Sequence, residues 1–192
     1  MFAKNQAVLD FLLTRRSRPS KTLTTPVPDA DTLRTILTIA ARTPDHGKLE
    51  PWRFIVLEKA ALARLAAMVP ARGEALGLAP DQITKAVAQY GNADLAVVVV
   101  SSRVASPKVP QIEQTYSAGA VCLALVNGAL AAGWGANWLS GWASHDRDFV
   151  QTGLGLAAHE TVAGIIHLGT QTSTPPERPR PDVDVITTWV RT

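Results

Sequence analysis

The sequence predicts a single α+β domain over residues 1–192, because helical stretches alternate with a few short apolar strands. Two apolar runs predict the central strands: "DLAVVVVSS" at 94–102, which is rich in β-branched residues, and "ETVAGIIHLGT" at 160–170. Between them, residues 111–132 are small and apolar on most sides. This pattern predicts a long helix that runs through the core or along a subunit interface.

The N-terminal third is predicted as two helices and a strand. Apolar residues at helical spacing predict the first helix over 5–16. A second helix begins at Asp29, whose side chain can cap it, and ends before Pro44, which cannot continue a helix. The run "WRFIVLE" at 52–58 then predicts a strand.

The rest of the chain is predicted mostly as helix and loop. Residues 59–69 and 81–89 have helical patterns on either side of a loop that contains Pro and Gly. The segment "GWGANWLSGW" at 133–142 is predicted not to form a regular helix, and Ser144 is predicted to cap a short helix over 145–152.

Composition narrows the class of protein. The net charge of +3 without a lysine-rich run gives little support to nucleic-acid binding. The single cysteine, Cys122, lies in an apolar stretch, which excludes an internal disulfide and fits a reducing compartment. No signal-like segment opens the chain, and the longest apolar region, 118–132, is shorter than a membrane span. We therefore expect a cytoplasmic protein without a membrane partner.

A basic segment, "TRRSRPSK" at 14–21, follows the first helix. Arg15 and Arg16 with the hydroxyl of Ser17 could hold a phosphate dianion, because guanidinium groups bind phosphate as planar forks. The alternative is a solvated basic helix end. Near the C-terminus, "RPRP" at 178–181 carries Arg180 in an extended segment that is otherwise an ordinary Pro-rich tail.

The joint between the second helix and the first strand, "ARTPDHGKLEPWRF", is unusually polar. Pro44 turns the chain there, so Arg42 and His46 can point into the same space and meet a ring edge, a carbonyl or a phosphate. Alternatively, Asp45 pairs with Arg42 or caps a turn, and His46 is only a turn residue.

A third polar segment is "NWLSGW", in which Trp138 and Leu139 precede Ser140, with glycines nearby. Such a backbone can approach a planar heterocycle closely, although a tryptophan-rich core turn is the alternative. Neither a dinucleotide-binding glycine motif nor a P-loop nor a nucleophile elbow occurs in the sequence. The remaining histidines, His145, His159 and His167, lack paired ligand spacing, so no metal site and no catalytic side chain are predicted.

Taken in order, these motifs resemble the FMN-dependent nitroreductase family, and more narrowly its compact branch of NAD(P)H nitroreductases. The resemblance rests on "RRS", "R-x-P-D-H" followed by "P-W-R-F", "W-x-S-G" after a long apolar helix, and "LGT" before a Pro/Arg tail. It covers essentially the whole chain. It implies a mostly antiparallel sheet wrapped by helices, and a homodimer formed through long helices with FMN at the interface.

The resemblance also implies roles for individual residues. Arg15, Arg16 and Ser17 would hold the phosphate and ribityl end of FMN, and Arg180 would return to the phosphate. The remaining contacts to the flavin would come from Arg42 and His46, and from Trp138, Leu139 and Ser140 along the ring. The implied activity is hydride transfer from NAD(P)H through FMN to a nitroaromatic or quinone acceptor. A non-catalytic flavin-binding or basic interaction protein on the same fold is the alternative.

Two positions depart from the family pattern. Many relatives carry a basic residue two positions after the serine of "RRS", near flavin N1, whereas this chain has Pro19 there. Lys21 or Arg42 could take that role. The second is Leu139 in the middle of the "W-x-S" motif, a position at which close relatives can carry a polar residue. The substrate preference of the family therefore cannot be transferred to this chain.

Overall fold

The computed structural model describes residues 3–192, so the first two residues of the predicted domain lie outside the described part. An antiparallel sheet is wrapped by helices, which confirms the predicted fold class. The strands are β1 (Leu23–Thr24), β2 (Trp52–Glu58), β3 (Leu95–Ser102), β4 (Gly135–Leu139) and β5 (Glu160–Gln171). The helices are α1 (Gln6–Thr14), α2 (Ala30–Ala40), α3 (Lys59–Ala75), α4 (Pro80–Gly91), α5 (Gln111–Ala131), α6 (Trp142–His145), α7 (Arg147–Leu154) and α8 (Val183–Ile186).

Strand β5 organises the sheet. β3 pairs with one edge of β5, and β2 pairs with the far edge of β3. β4 pairs with β5 residues that β3 also contacts, so β4 must lie on the opposite edge. β1 pairs with the last two residues of β5, where Leu23 faces Gln171. The segments before β1 and after β4 are thereby brought to the same side of the sheet.

The sheet is covered on both faces, as the β-branched run predicts. Every residue of β3 from Leu95 to Val100 is buried. Val98 and Val100 pack with Leu62, Leu65 and other residues of α3, α4 and α7. Val97 and Val99 face the other way and pack against α2 and α5. Two hydrophobic clusters on one sheet stabilise the domain by removing most large apolar side chains from water.

The predicted helices are confirmed, with two instructive differences. α3 was expected to stop before Pro70, yet it continues to Ala75. Proline forfeits one helical hydrogen bond, but the helix remains favourable because Val69 and Gly73 are buried. α5 is as long as predicted, but only one side is buried; the large side chains of Ile112, Tyr116 and Leu123 are exposed.

Residues 133–141 form no helix, as predicted, although the sequence did not predict the strand that lies there. Residues of this segment form β4, because Gly135 allows close contact with β5 and the indole of Trp138 lies over Gly164. The predicted short helix over 145–152 is divided into α6 and α7. Asp146, not Ser144, caps α7 by accepting a hydrogen bond from the Phe149 amide at 2.8 Å.

The glycine of "LGT" is required by the approach of β1. A Cβ on Gly169 would lie 2.8 Å from the carbonyl oxygen of Thr24, which is backbone and cannot rotate away. We expect Gly169→Ala to reduce the free energy of unfolding by about 2 kcal/mol, because it forces β1 away from β5. Urea denaturation measures this. Gly91→Ala, whose Cβ would meet only Ala66 at 3.6 Å, is the matched control and is expected to be neutral.

A buried carboxylate joins the start of β5 to β2. Glu160 accepts two hydrogen bonds from Arg53, both at 2.7 Å, and one from the Ala157 amide at 2.9 Å. The Arg53 hydrogen bonds are the main cause that lowers the pKa of Glu160 to about 2. The Glu160 side chain is only 6% exposed, so the carboxylate depends on this partner.

We expect Arg53→Met to reduce the free energy of unfolding at pH 7 by about 2 kcal/mol, because it leaves a buried carboxylate without its cation. Adding Glu160→Gln should recover at least half of that loss. A double variant as unstable as the single one would show that the charge itself is unimportant. Chemical denaturation of the three variants gives the answer.

Candidate functional site

A cluster of arginines forms directly after α1. The Arg15 amide donates to the Phe11 carbonyl at 2.8 Å and ends the helix, and the Arg15 guanidinium donates to the Ser17 hydroxyl at 3.1 Å. The Arg18 amide donates to the Ala136 carbonyl at 2.8 Å. This last bond ties the loop to β4, so the basic segment lies beside the "NWLSGW" segment.

The C-terminal tail returns to the same cluster. Arg16 donates to the Pro176 carbonyl at 2.6 Å. Glu177 lies 3.6 Å from the Arg16 guanidinium and 3.0 Å from that of Arg180. The structure therefore brings together Arg15, Arg16, Ser17 and Arg180, which are far apart in the sequence.

The cluster carries more positive than negative charge. Burial lowers the pKa of Arg15, and the neighbouring charges of Arg180, Arg16 and Arg18 lower it further. The Nε atoms of Arg15 and Arg18 are buried without a hydrogen-bond partner in the described part of the chain. Unpaired guanidinium donors held together in this way fit a phosphate dianion, which accepts several charge-assisted hydrogen bonds.

A cavity of about 290 Å³ lies next to this loop. It is lined from three directions: by Ser20 and Lys21 after the arginines, by Leu139 at the end of β4, and by His167 on β5. α4 closes it with Lys85, Ala88 and Gln89, together with Asn92 and Ala93, which follow this helix. Lys21 and Lys85 are its charged lining residues, and Lys85 is already paired with Asp81 at 3.0 Å.

The other two residues of the "W-x-S" motif, Trp138 and Ser140, do not line this cavity. Trp138 is 40% exposed, and its ring covers Gly164, so one face of the indole packs against the sheet. Ser140 is exposed, and its hydroxyl lies 2.9 Å from Nε2 of His145. The motif is thus neither a core turn nor fully solvated.

His167 lines the cavity, and the sequence analysis considered it only as a metal ligand. It is buried, and burial lowers its pKa to about 4, so the imidazole is neutral near pH 7. Its Nε2 atom has no hydrogen-bond partner within residues 3–192. A single polar residue within the apolar run "VAGIIHLG" at 162–169 was the signal that could have identified it.

Arg42 and His46 lie elsewhere. They precede Trp52, which pairs with Ser101 at one end of β3, whereas Ala136 pairs with Leu168 near the other end. At about 3.3 Å per residue these ends are about 20 Å apart. Within one chain, the structure therefore does not bring Arg42 and His46 to the arginine cluster.

The surroundings of His46 are polar. Its Nδ1 atom is 2.6 Å from the Glu113 carboxylate in the first turn of α5. Asp45 accepts hydrogen bonds from the Leu49 and Glu50 amides at 2.7 and 3.3 Å, so it caps a turn, and Arg42 is exposed. Arg42 and His46 are therefore presented at the surface near the start of α5.

Two other features carry no site. The larger cavity of about 610 Å³ lies between α2 and α3 and contains none of the predicted residues; Lys59 there is paired with Asp94 at 3.0 Å.

Cys122 is a buried core residue, as predicted, and burial raises the pKa of its thiol to about 12. In the part of the chain described, no helix combines the length and apolarity that crossing a membrane requires.

The fold, the arginine cluster and the cavity beside its loop define an α+β protein suited to a phosphorylated, planar ligand. The profile of the nitroreductase family matches residues 12–170, and the chain belongs to this family. The Escherichia coli K12 protein named "Putative NAD(P)H nitroreductase YdjA" is 33% identical over 162 residues, which cover 84% of this chain and 87% of that protein. A Haemophilus influenzae protein of the same description is 34% identical over 164 residues, with the same coverage.

Solved structures agree on the fold. A nitroreductase-like family protein from Bacillus cereus superimposes with a TM-score of 0.77 at 19% identity, covering 99% of both chains. A nitroreductase from Desulfovibrio desulfuricans, crystallised in complex with FMN, gives a TM-score of 0.75 at 20% identity over 99% of both chains. The FMN- and NADPH-dependent nitroreductase NfnB from a Sphingopyxis strain gives 0.75 at 20% identity over 94% of this chain and 97% of its own.

Proposed function

We propose that this oxidoreductase of the nitroreductase family binds FMN, uses NAD(P)H as reductant and reduces a small acceptor such as a nitroaromatic or quinone. The observation that carries the proposal is the arginine cluster, in which the Nε atoms of Arg15 and Arg18 lack a partner within residues 3–192, on a loop whose next residues, Ser20 and Lys21, line a cavity. Its relatives bear the name NAD(P)H nitroreductase, and the Desulfovibrio neighbour was crystallised with FMN. We place the activity in the cytoplasm.

The residues present fit FMN, because a cationic loop adjoins a cavity with polar and apolar walls. Arg15, Arg16 and Arg180 would hold the phosphate, with the Ser17 hydroxyl as a neutral donor. Lys21 would supply positive charge at the ring, and this assigns it the role that Pro19 cannot fill. Trp138, Leu139 and Ser140 would lie along the ring.

Bound FMN would supply the redox chemistry, accepting a hydride from the nicotinamide and passing it to the acceptor. The protein's contribution is to orient the rings and to place cations where negative charge develops. Because nicotinamide and acceptor would occupy the same place in turn, ping-pong kinetics are expected. No side chain of the site is needed as a nucleophile, and water can deliver the proton.

A second copy of the chain would complete the site. Arg42 and His46 precede the end of β2 that lies away from the arginine cluster of their own chain, so we expect them to reach a flavin only from a partner. Exposed apolar side chains give such a partner a surface: Ile112, Tyr116 and Leu123 on α5, and Leu13, Trp189 and Val190 near the termini. We therefore propose a homodimer.

Spectroscopy tests this function. The protein mixed anaerobically with FMN should become yellow, and adding NADH or NADPH should bleach the absorbance near 450 nm within seconds, at about one flavin per chain. A protein that holds FMN but never bleaches would be a non-catalytic flavin binder. One that does not respond to FMN would contradict the proposal.

A further inference from the structure

The imidazole of His167 is a buried polar group that the protein leaves unpaired. The side chain is 3% exposed, and Nε2 makes no hydrogen bond in the described part of the molecule. Its neighbours along β5, Ile166 and Leu168, are buried apolar residues. A neutral imidazole has one donor and one acceptor, and burying them without partners costs stability.

The cavity could hold a ligand that forms a hydrogen bond with the imidazole of His167. His167 lines it together with Lys21, Leu139 and Gln89. The cations there are Lys21 and Lys85, and no carboxylate lines it. A ligand with an electron-rich polar edge suits such walls, because the ammonium groups only donate, whereas the imidazole and the amide can also accept.

On the basis of the proposed function, we propose that His167 binds the ring: its imidazole hydrogen-bonds the polar edge of the flavin in the cavity that Lys21 and Leu139 also line. That edge alternates carbonyl oxygens with ring nitrogens, so it presents both acceptors and a donor. His167 is therefore a specificity-determining residue that selects the heterocycle, whereas the arginines select the phosphate.

This role gives His167 a signature that a structural residue would not have. Replacing an unpaired buried polar group by an apolar one of similar size removes a cost from the ligand-free protein. The apoprotein of His167→Phe should therefore melt at the same temperature as the wild type or higher. Flavin affinity should change in the opposite direction, because the hydrogen bond to the ring is lost.

The experiment compares two flavins on four proteins. Apoprotein is titrated with FMN and with riboflavin, which lacks the phosphate, by quenching of flavin fluorescence at pH 7.5. The proteins are the wild type, His167→Phe, His167→Asn and His167→Gln, and the melting temperature of each apoprotein is recorded. The side-chain amide of Asn can take the place of the Nδ1 atom as a hydrogen-bonding group, and the amide of Gln can take the place of the Nε2 atom.

We expect His167→Phe to weaken both flavins to a similar extent, about five- to tenfold, which corresponds to one hydrogen bond. One of the two amide variants should regain most of that affinity. Unchanged flavin binding in His167→Phe, or a loss that accompanies a lower melting temperature and is not rescued by either amide, would overturn the assignment. A wild type that binds neither flavin would contradict the proposed function itself.

Discussion

Replacing Arg15 and Arg16 together with alanine is expected to weaken FMN binding at least about a hundredfold. Each guanidinium would contribute a charge-assisted hydrogen bond to the phosphate, worth about 1.5–3 kcal/mol. The double substitution leaves Arg180 and Arg18 as the remaining cations of the cluster, so the positive electrostatic potential there falls. Fluorescence titration of the apoprotein with FMN measures the loss.

Two controls separate phosphate binding from a general charge effect. Lys4→Ala with Arg34→Ala removes the same net charge from exposed positions and should leave FMN affinity unchanged. Riboflavin should bind the Arg15/Arg16 variant almost as well as it binds the wild type, because it has no phosphate. Equal FMN affinity in the variant and the wild type would show that the cluster serves another purpose.

Stability is expected to fall between pH 7 and pH 4 because of His167. Burial lowers its pKa from 6.5 to about 4, so below pH 6.5 the unfolded chain takes up a proton that the native protein does not. Unfolding is therefore favoured as the pH falls through this window, by up to about 3 kcal/mol. The lysines that line the cavity, Lys21 and Lys85, oppose a third positive charge there.

The comparison of wild type with His167→Phe isolates this effect. Asp146 and Glu160, whose pKa values are lowered mainly by hydrogen bonds from arginines, also destabilise the fold in acid, but they are common to both proteins. The difference in free energy of unfolding should grow in favour of the variant from pH 7 to pH 4, as urea denaturation at each pH measures. A constant difference would mean that His167 is charged and solvated in the native state.

The strands that the sequence predicts well are those whose own residues favour a strand. β3 is a run of valines, and its residues from Leu95 to Val100 are buried, so local propensity and burial agree. β4 was missed because its five residues lie among several glycines, which are depleted in strands and outweigh the strand preference of tryptophan. It exists because Gly164 leaves room for the indole of Trp138, which is a tertiary fact.

The residues of the candidate site also divide into those that a sequence motif suggests and those that only the fold brings together. The motif with Arg15, Arg16 and Ser17 left a solvated helix end open as an alternative, and it is the fold that brings Arg180 from the tail of the chain to the same cluster. His167 was missed because a single histidine in a strand has no spacing partner, and only the fold places it on the cavity with Lys21. Arg42 and His46 cannot be assigned within one chain, because their proposed role depends on a second copy.

Mixing two inactive variants tests the proposed two-copy site most directly. Arg15→Ala/Arg16→Ala protein lacks the phosphate contacts, and Arg42→Ala/His46→Ala protein lacks the contacts from the partner; each alone should bind FMN weakly. In a heterodimer one site carries both defects and the other carries none. After subunit exchange, tight FMN binding should therefore return at about a quarter of the sites, the share expected from random pairing. Heterodimers that form without any regained tight binding would contradict a flavin site built from two chains.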